Sequence, residues 1–363
     1  MPVQSSEMGL CEVPSMSGVM HRVLRALAGL AIGFVVLLLT VWGALALWHQ
    51  MPGPSVVRWF VIAMWSTLGV TVVLSRAGLL GRRNRNIAGF AFVIAAASLL
   101  MWWGTLQPSH QRVWADDVAQ LLEARIDGNH VHLNNVRNFQ WRSETDYTPQ
   151  WESRTYDLDR LRSADLVLSY WMGPHIAHTL VSFGFDGGER VVFSLEIRKE
   201  RHESFSAVGG FFRQFEQILV AADERDIVRT RSNARGEDVY LYRLQMNQAS
   251  ARALFLEYLN AANELRQKPR FYNTLTSNCT TIVFELARVI APALPMDYRL
   301  LLSGYFARYV YDLHGLTPGY RYDELQALGH INERALASDV SEDDFSMSIR
   351  QGVPGIPANE VNP

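Results

Sequence analysis

The chain has 363 residues and a formal net charge of −2, with 34 Lys and Arg set against 36 Asp and Glu. Charges of both signs are interspersed through the polar part, and that excludes the basic patch of a nucleic-acid-binding protein. Two cysteines, Cys11 and Cys279, are too few for a disulfide framework.

Three apolar stretches come first: Ala26 to Trp48, Trp59 to Ser75 and Ile87 to Leu106. Each is long enough to cross a hydrocarbon core of roughly 30 Å as a helix rising about 1.5 Å per residue. Two further spans behind the first argue for a retained anchor rather than a cleaved signal peptide. Arg22 and Arg25 precede the first span, and Arg76, Arg82, Arg83 and Arg85 lie between the second and third, while residues 49–57 hold no Lys or Arg. The positive-inside rule then puts both basic flanks in the cytoplasm and everything after Leu106 outside. The expected layout is a cytoplasmic tail (1–21), a transmembrane region (22–106), a periplasmic domain (107–337) and a disordered tail (338–363), in an inner-membrane protein.

Within the soluble part, Trp114 to Arg125 reads as a helix, and the polar stretch after it as loops and edge structure to about residue 160. Asp165 to Trp171, His178 to Phe185, Arg190 to Ile197 and Asp238 to Leu244 have the β-branched and aromatic content of strands. Asp186-Gly187-Gly188 is a turn that makes the second and third a hairpin. Ser250 to Gln267, Cys279 to Ala291 and Asp297 to Leu313 read as helices. The fold class is α+β, an antiparallel sheet with helices packed on it.

Cys279 carries the chemistry. Ser277 or Asn278 is a natural N-cap for the helix that follows, so the cysteine falls in the first turn, where unpaired N–H groups and the helix dipole favour a thiolate. Its position on the outer side, where it has no partner for a disulfide, favours a nucleophile over a buried small hydrophobe. A thiol nucleophile needs a histidine. On the hairpin, setting the apolar faces of the two strands together requires an odd number of loop residues, and this brings His178 and Glu196 onto one face and nearly opposite. Glu196 is then placed to orient the imidazole as the third member of a triad. His175, in the preceding turn, and Asn278, beside the nucleophile, are the expected substrate contacts. A zinc site from His175, His178, Cys279 and a carboxylate is the metal alternative, set aside because a turn separates the two histidines. No cofactor motif is present.

These stretches, Asn138-Phe-Gln-Trp-Arg-Ser-Glu-Thr-Asp-Tyr, Arg154-Thr-Tyr-Asp-Leu, Leu168-Ser-Tyr-Trp, Pro174-His-Ile-Ala-His-Thr-Leu-Val-Ser-Phe-Gly-Phe and Thr276-Ser-Asn-Cys-Thr-Thr, resemble the Lnb N-terminal periplasmic domain family over roughly residues 125 to 295. That family is similar to permuted papain-like thiol enzymes of the NlpC type. The resemblance implies Cys279 as nucleophile, His178 as base and a third residue on the next strand, where Glu196 falls. The family takes its name from lipoprotein N-acyltransferases, whose membrane spans are arranged differently from the N-terminal ones here. The expected function is a membrane-tethered acyltransferase or hydrolase acting on a lipid or lipoprotein. A cell-wall peptide amidase with the same thiol, and a non-catalytic tethered scaffold, are the alternatives. Arg137, Arg142 and Arg154 are candidate phosphate contacts or structurally paired arginines.

Overall fold

The computed structural model describes residues 16–76, 79, 81–341 and 344–360, and the chain divides into two compact units, 1–107 and 108–363. Cys11 lies outside the described residues.

The first unit is three helices, α1 (Met16–Gln50), α2 (Ser55–Arg76) and α3 (Arg82–Thr105), all long and apolar enough to cross a membrane. Helix α1 begins at Met16, inside the stretch read as a tail. Pro52, Gly53 and Pro54 end α1 and restart the chain as α2, with Gly53 at a φ of 103° that favours glycine. The three helices meet at Trp65: its indole N–H donates to the Thr40 carbonyl at 2.8 Å, its ring stacks on Phe92 at 5.1 Å, and Gly43 leaves the room it fills. Small residues at such crossings let apolar helices approach closely where no hydrophobic effect drives them together. Leu30, Phe34, Phe60, Phe90 and Met101 face outward, as lipid-facing side chains do.

The second unit is built on an eight-stranded sheet. Its strands are β1 (Glu123–Asp127), β2 (His130–Arg137), β5 (Trp151–Asp157), β6 (Leu161–Tyr170), β7 (Ala177–Phe185), β8 (Arg190–Arg198), β9 (Glu216–Ala222) and β10 (Asp238–Arg243); β3 (Gln140–Trp141) and β4 (Tyr147–Thr148) form a separate ribbon. The order is β1-β2-β9-β8-β7-β6-β10, with β5 also on β2. Pairing is antiparallel except between β2 and β9, which run parallel at Arg137↔Ala222, so the sheet is mixed. Its helices are α4 (Ala207–Phe211), α5 (Glu224–Arg229), α6 (Gln248–Gln267), α7 (Cys279–Ile290), α8 (Phe306–Asp312), α9 (Tyr322–Gly329), α10 (Asn332–Ser341) and α11 (Phe345–Ser348).

Alternation along β7 and β8 sends residues into two cores. Val181, Phe183, Phe193 and Leu195 pack with Phe255, Tyr258 and Leu259 of α6 on one face, while Leu180 and Val192 pack with Ile227, Val228, Ala335, Phe345 and Ile349 on the other. Both faces of the central strands are therefore sealed.

Several expectations are corrected here. Trp114 to Arg125 is a short 3₁₀ turn (Asp116–Val118) followed by β1, because Trp114 bridges to Glu200 and the Ala115 N–H donates to the Lys199 carbonyl, which draws the segment to the sheet. The stretch read as loops and edge structure holds β5, which pairs only with β2, and β2 itself, which lies inside the sheet; only Val131 and Leu133 alternate clearly, and the polar residues between them mask that strand. β9 lies in a run buried at every position, which has no alternation to read. Asp297 to Leu313 breaks into 3₁₀ turns before α8, since Gly304 sits against the backbone of Pro174 and His175 and its N–H donates to the His175 carbonyl at 2.9 Å.

The tail expected to be disordered is also ordered where it is described. Arg350 is fully buried and donates to Asp165 and Glu224, at 2.8 and 2.6 Å from Nη2. Burial works against all three charges, yet the arginines around Asp165 hold its carboxyl down at about 2, and Arg350 keeps Glu224 below the usual range. Removing one member strands the others. Arg350→Ala is expected to cost about 3–5 kcal/mol, as breaking a buried ion pair does, read as a large fall in the tryptophan-fluorescence melting temperature of the detergent-solubilised protein.

Candidate active site

The hairpin of β7 and β8 turns at Asp186-Gly187-Gly188, where both glycines take positive φ (93° and 87°), and the Phe185 N–H closes it on the Glu189 carbonyl at 2.9 Å. Pairing runs from Gly184↔Arg190 to Leu180↔Ser194 and stops there, although β7 begins at Ala177 and β8 continues to Arg198. Extended by two residues, the same register sets His178 against Glu196. Imidazole Nε2 lies 3.2 Å from Glu196 Oε1 and 2.7 Å from Ser194 Oγ. Ser194 donates its hydroxyl to the same Oε1 at 2.8 Å, so it accepts from Nε2–H. Arg231 Nη2, from a π-helical turn (Thr230–Ala234), donates to that oxygen as well, at 2.8 Å. One carboxylate oxygen thus gathers three donors.

Cys279 opens α7. Asn278 is its cap: its side-chain oxygen accepts from the N–H groups of Thr280 and Thr281 at 2.9 and 3.0 Å, and Thr281 Oγ1 in turn accepts from the Asn278 N–H at 2.8 Å. Asn278 Nδ2 donates to the Thr274 carbonyl. Its carboxamide therefore serves as the helix cap, with the oxygen and one of its two N–H groups engaged. The helix is fixed to the strand by Thr179 Oγ1 and Thr280 Oγ1, 2.9 Å apart. Where β7 and β8 have parted, the Thr179 backbone N–H and the His178 side chain both act on the Cys279 sulfur and favour its thiolate. With Nε2 held by Ser194 and Glu196, Nδ1 is the nitrogen left for the thiol.

The electrostatics favour the ion pair. Burial opposes the thiolate, but His178 and the Thr179 N–H outweigh it and lower the Cys279 pKa. Burial also opposes the imidazolium; Glu196 and then Cys279 overcome this and raise His178 to about 9. Burial would raise Glu196, yet His178 and Arg231 hold it well below the carboxylate range. The phenol of Tyr272 is pushed up by burial and by the negative charges of Cys279 and Glu196, which places it within reach of the same field.

His175 does not join this group. Its Nδ1 pairs with the Tyr305 hydroxyl at 2.6 Å in an exposed turn, so the four-residue zinc arrangement does not form, and among the described residues no cluster of three or more His, Cys, Asp or Glu is placed to hold a metal ion. The candidate phosphate contacts are paired with protein: Arg137 to Asp226, Arg142 to Asp146, and Arg154 to Glu152 and Asp223. A cavity of about 390 Å³ bounded by Arg154, Glu189, Arg190, Asp223 and Phe345 lies at the turn end of the hairpin, away from Cys279. Sequence reasoning missed Ser194 and Arg231. Ser194 has the same strand parity as Glu196 and was legible in principle; Arg231 comes from a segment whose place over β8 only tertiary packing sets.

Residues 147–304 match the family model described as the Lnb N-terminal periplasmic domain. No curated protein and no solved structure matches the chain.

Two outcomes are expected. In wild type, alkylation of Cys279 should persist well below the ordinary cysteine pKa of about 8.5, and His178→Ala should move its midpoint up by more than about one pH unit, because burial then acts on the thiol without the cation. The raised His178 pKa means that its proton, and the stabilisation of the ion pair, are present below the unfolded value near 6.5 and lost as pH rises through about 9. Glu196→Gln should bring that loss to lower pH, followed by the imidazole NMR titration.

Proposed function

We propose that this chain, whose residues 147–304 belong to the Lnb N-terminal periplasmic domain family, is a membrane-tethered thiol enzyme that transfers or hydrolyses an acyl group of a lipid or lipoprotein. The observation that carries the reading is a cysteine at the first position of a helix whose thiolate is favoured by a histidine that is itself held by a part-buried carboxylate. Such an arrangement is costly to bury and has an evident use only if the thiolate reacts.

The thiolate attacks an ester or amide carbonyl and the carbonyl π electrons move onto oxygen. Thr280 and Thr281 N–H groups are committed to the cap, so the backbone N–H of Cys279 is the helix-start donor left for the oxyanion. As the tetrahedral centre collapses, the His178 imidazolium gives its proton to the leaving group, and a thioester remains on Cys279. His178, now neutral, takes a proton from an incoming amine, hydroxyl or water, which attacks the thioester and releases the thiolate. Glu196, Ser194 and Arg231 keep the ring aligned through both halves.

The three apolar helices make the chain a membrane protein, and the family's periplasmic domain suits an outward-facing soluble unit. The distribution of arginine around the spans favours the inner membrane with that unit in the periplasm. Tethering raises the local concentration of lipid around the thiol. A peptide amidase would use the same residues, and the substrate separates the two.

Detergent-solubilised full-length protein incubated with a phospholipid bearing a labelled acyl chain is expected to gain that chain on Cys279 as a hydroxylamine-sensitive thioester. Cys279→Ala should abolish the label while keeping the wild-type melting curve. Turnover of cell-wall peptide in place of lipid would transfer the mechanism to an amidase, and an unreactive thiol with an ordinary pKa would leave a tethered scaffold.

A further inference from the structure

Apolar side chains are exposed on three segments: Trp171 and Met172 in the turn that leads into His178; Phe205, Val208 and Phe211 on α4 and the residues before it; and Leu275 in the loop that leads into Cys279. These segments are joined to one another. The rings of Trp171 and Phe205 meet edge to face at 5.0 Å, Thr274 Oγ1 donates to the Ala207 carbonyl at 2.9 Å, and Gly210 sits against Tyr272 and Thr274 with no room for a Cβ. The six therefore form a rim beside the thiol, and their solvation is a cost the fold itself does not explain.

The path of the chain says what covers it. The polypeptide enters the soluble unit at Pro108 and is pinned at once, the Ser109 N–H donating to Glu216 Oε1 at 3.0 Å. The next residue, Gln217, hydrogen-bonds to Ser277, two residues before Cys279. Residues 108 and 109, the first of the soluble unit, are thus held at its thiol-bearing end, and in sequence only Leu106 and Gln107 separate them from Thr105 at the end of α3. Trp and Phe among aliphatic side chains are the residues that settle at a bilayer interface.

We infer that this rim seats on the surface of the bilayer, so that the thiol meets the acyl ester of a membrane lipid at the interface. The choice of substrate rests on the thiol reading above; the seating itself does not. Burying the rim against lipid removes its exposed apolar surface from water and holds the mouth of the site at the depth of the ester bonds.

The test uses the full-length chain in the Cys11→Ser, Cys279→Ser background, with a single added cysteine carrying an environment-sensitive fluorophore, reconstituted in phosphatidylcholine vesicles with or without a lipid quencher. Val208→Cys and Leu275→Cys probe the rim, and Leu336→Cys, exposed on α10, is the control. Severalfold stronger lipid quenching at 208 and 275 than at 336 is expected. Equal quenching at the three positions would overturn the inference. So would blue-shifted emission at the rim without lipid quenching, which would mean that a protein, a second copy or another chain, covers it. No reactive thiol remains in this background, so failure of the seating leaves the chemistry of Cys279 standing, and an inert Cys279 leaves the seating standing.

Discussion

The central strands of the soluble unit are covered on both faces, and each charge they carry must therefore find a partner inside the protein. Burying an unpaired carboxylate or guanidinium costs far more than a single domain can spare. β6 to β8 nevertheless carry Asp165, Arg190 and Glu196 on the face sealed by α5, α10 and α11. Two charge clusters answer the requirement. At the turn end of the hairpin, Arg350, Arg243 and Arg190 surround Asp165, and Glu224 and Glu360 complete the set. At the other end Arg231 and His178 share Glu196.

The second cluster couples fold to chemistry. Arg231 alone would satisfy Glu196, and the imidazole would then have little reason to hold a proton. Because Ser194 and His178 also converge on Oε1, the carboxylate stabilises the charged imidazole and, through it, the thiolate. Parting of β7 and β8 beyond Leu180 and Ser194 is the other half of the arrangement. A fully zipped ladder would commit the strand's backbone groups to β8; the open end lets the start of α7 approach and the Thr179 N–H act on the Cys279 sulfur.

The family match covers the hairpin, the thiol helix and the turns around Gly304, while β1, β2 and the segment after α8 lie outside it. Those outer parts are not ornaments to the matched core. The C-terminal segment supplies Arg350, Phe345 and Ile349 to the second face, and without it the buried acids of β6 and α5 would open to water. Support for the site is in this sense spread over more of the chain than the residues that resemble the family.

Local physics made several features legible in sequence. The spans needed only length and hydropathy, since lipid leaves a helix no alternative. The strands β6, β7, β8 and β10, the helices α6 and α7, and the cap before Cys279 follow from composition and turn chemistry. The facing of His178 and Glu196 follows from parity, because a strand's side chains alternate with a period of two and a slip of one residue would expose the apolar face. Tertiary structure alone decided the rest. β9 has no alternation because both its faces are buried, β2 is masked by polar residues, and Asp297 to Leu313 loses its helix to the close approach of Gly304 and His175. Arg231 and Arg350 reach their carboxylates from segments 35 and 185 residues away in sequence. Periodicity is a property of one segment, whereas the pairing of buried charge depends on which segments the folded chain brings together.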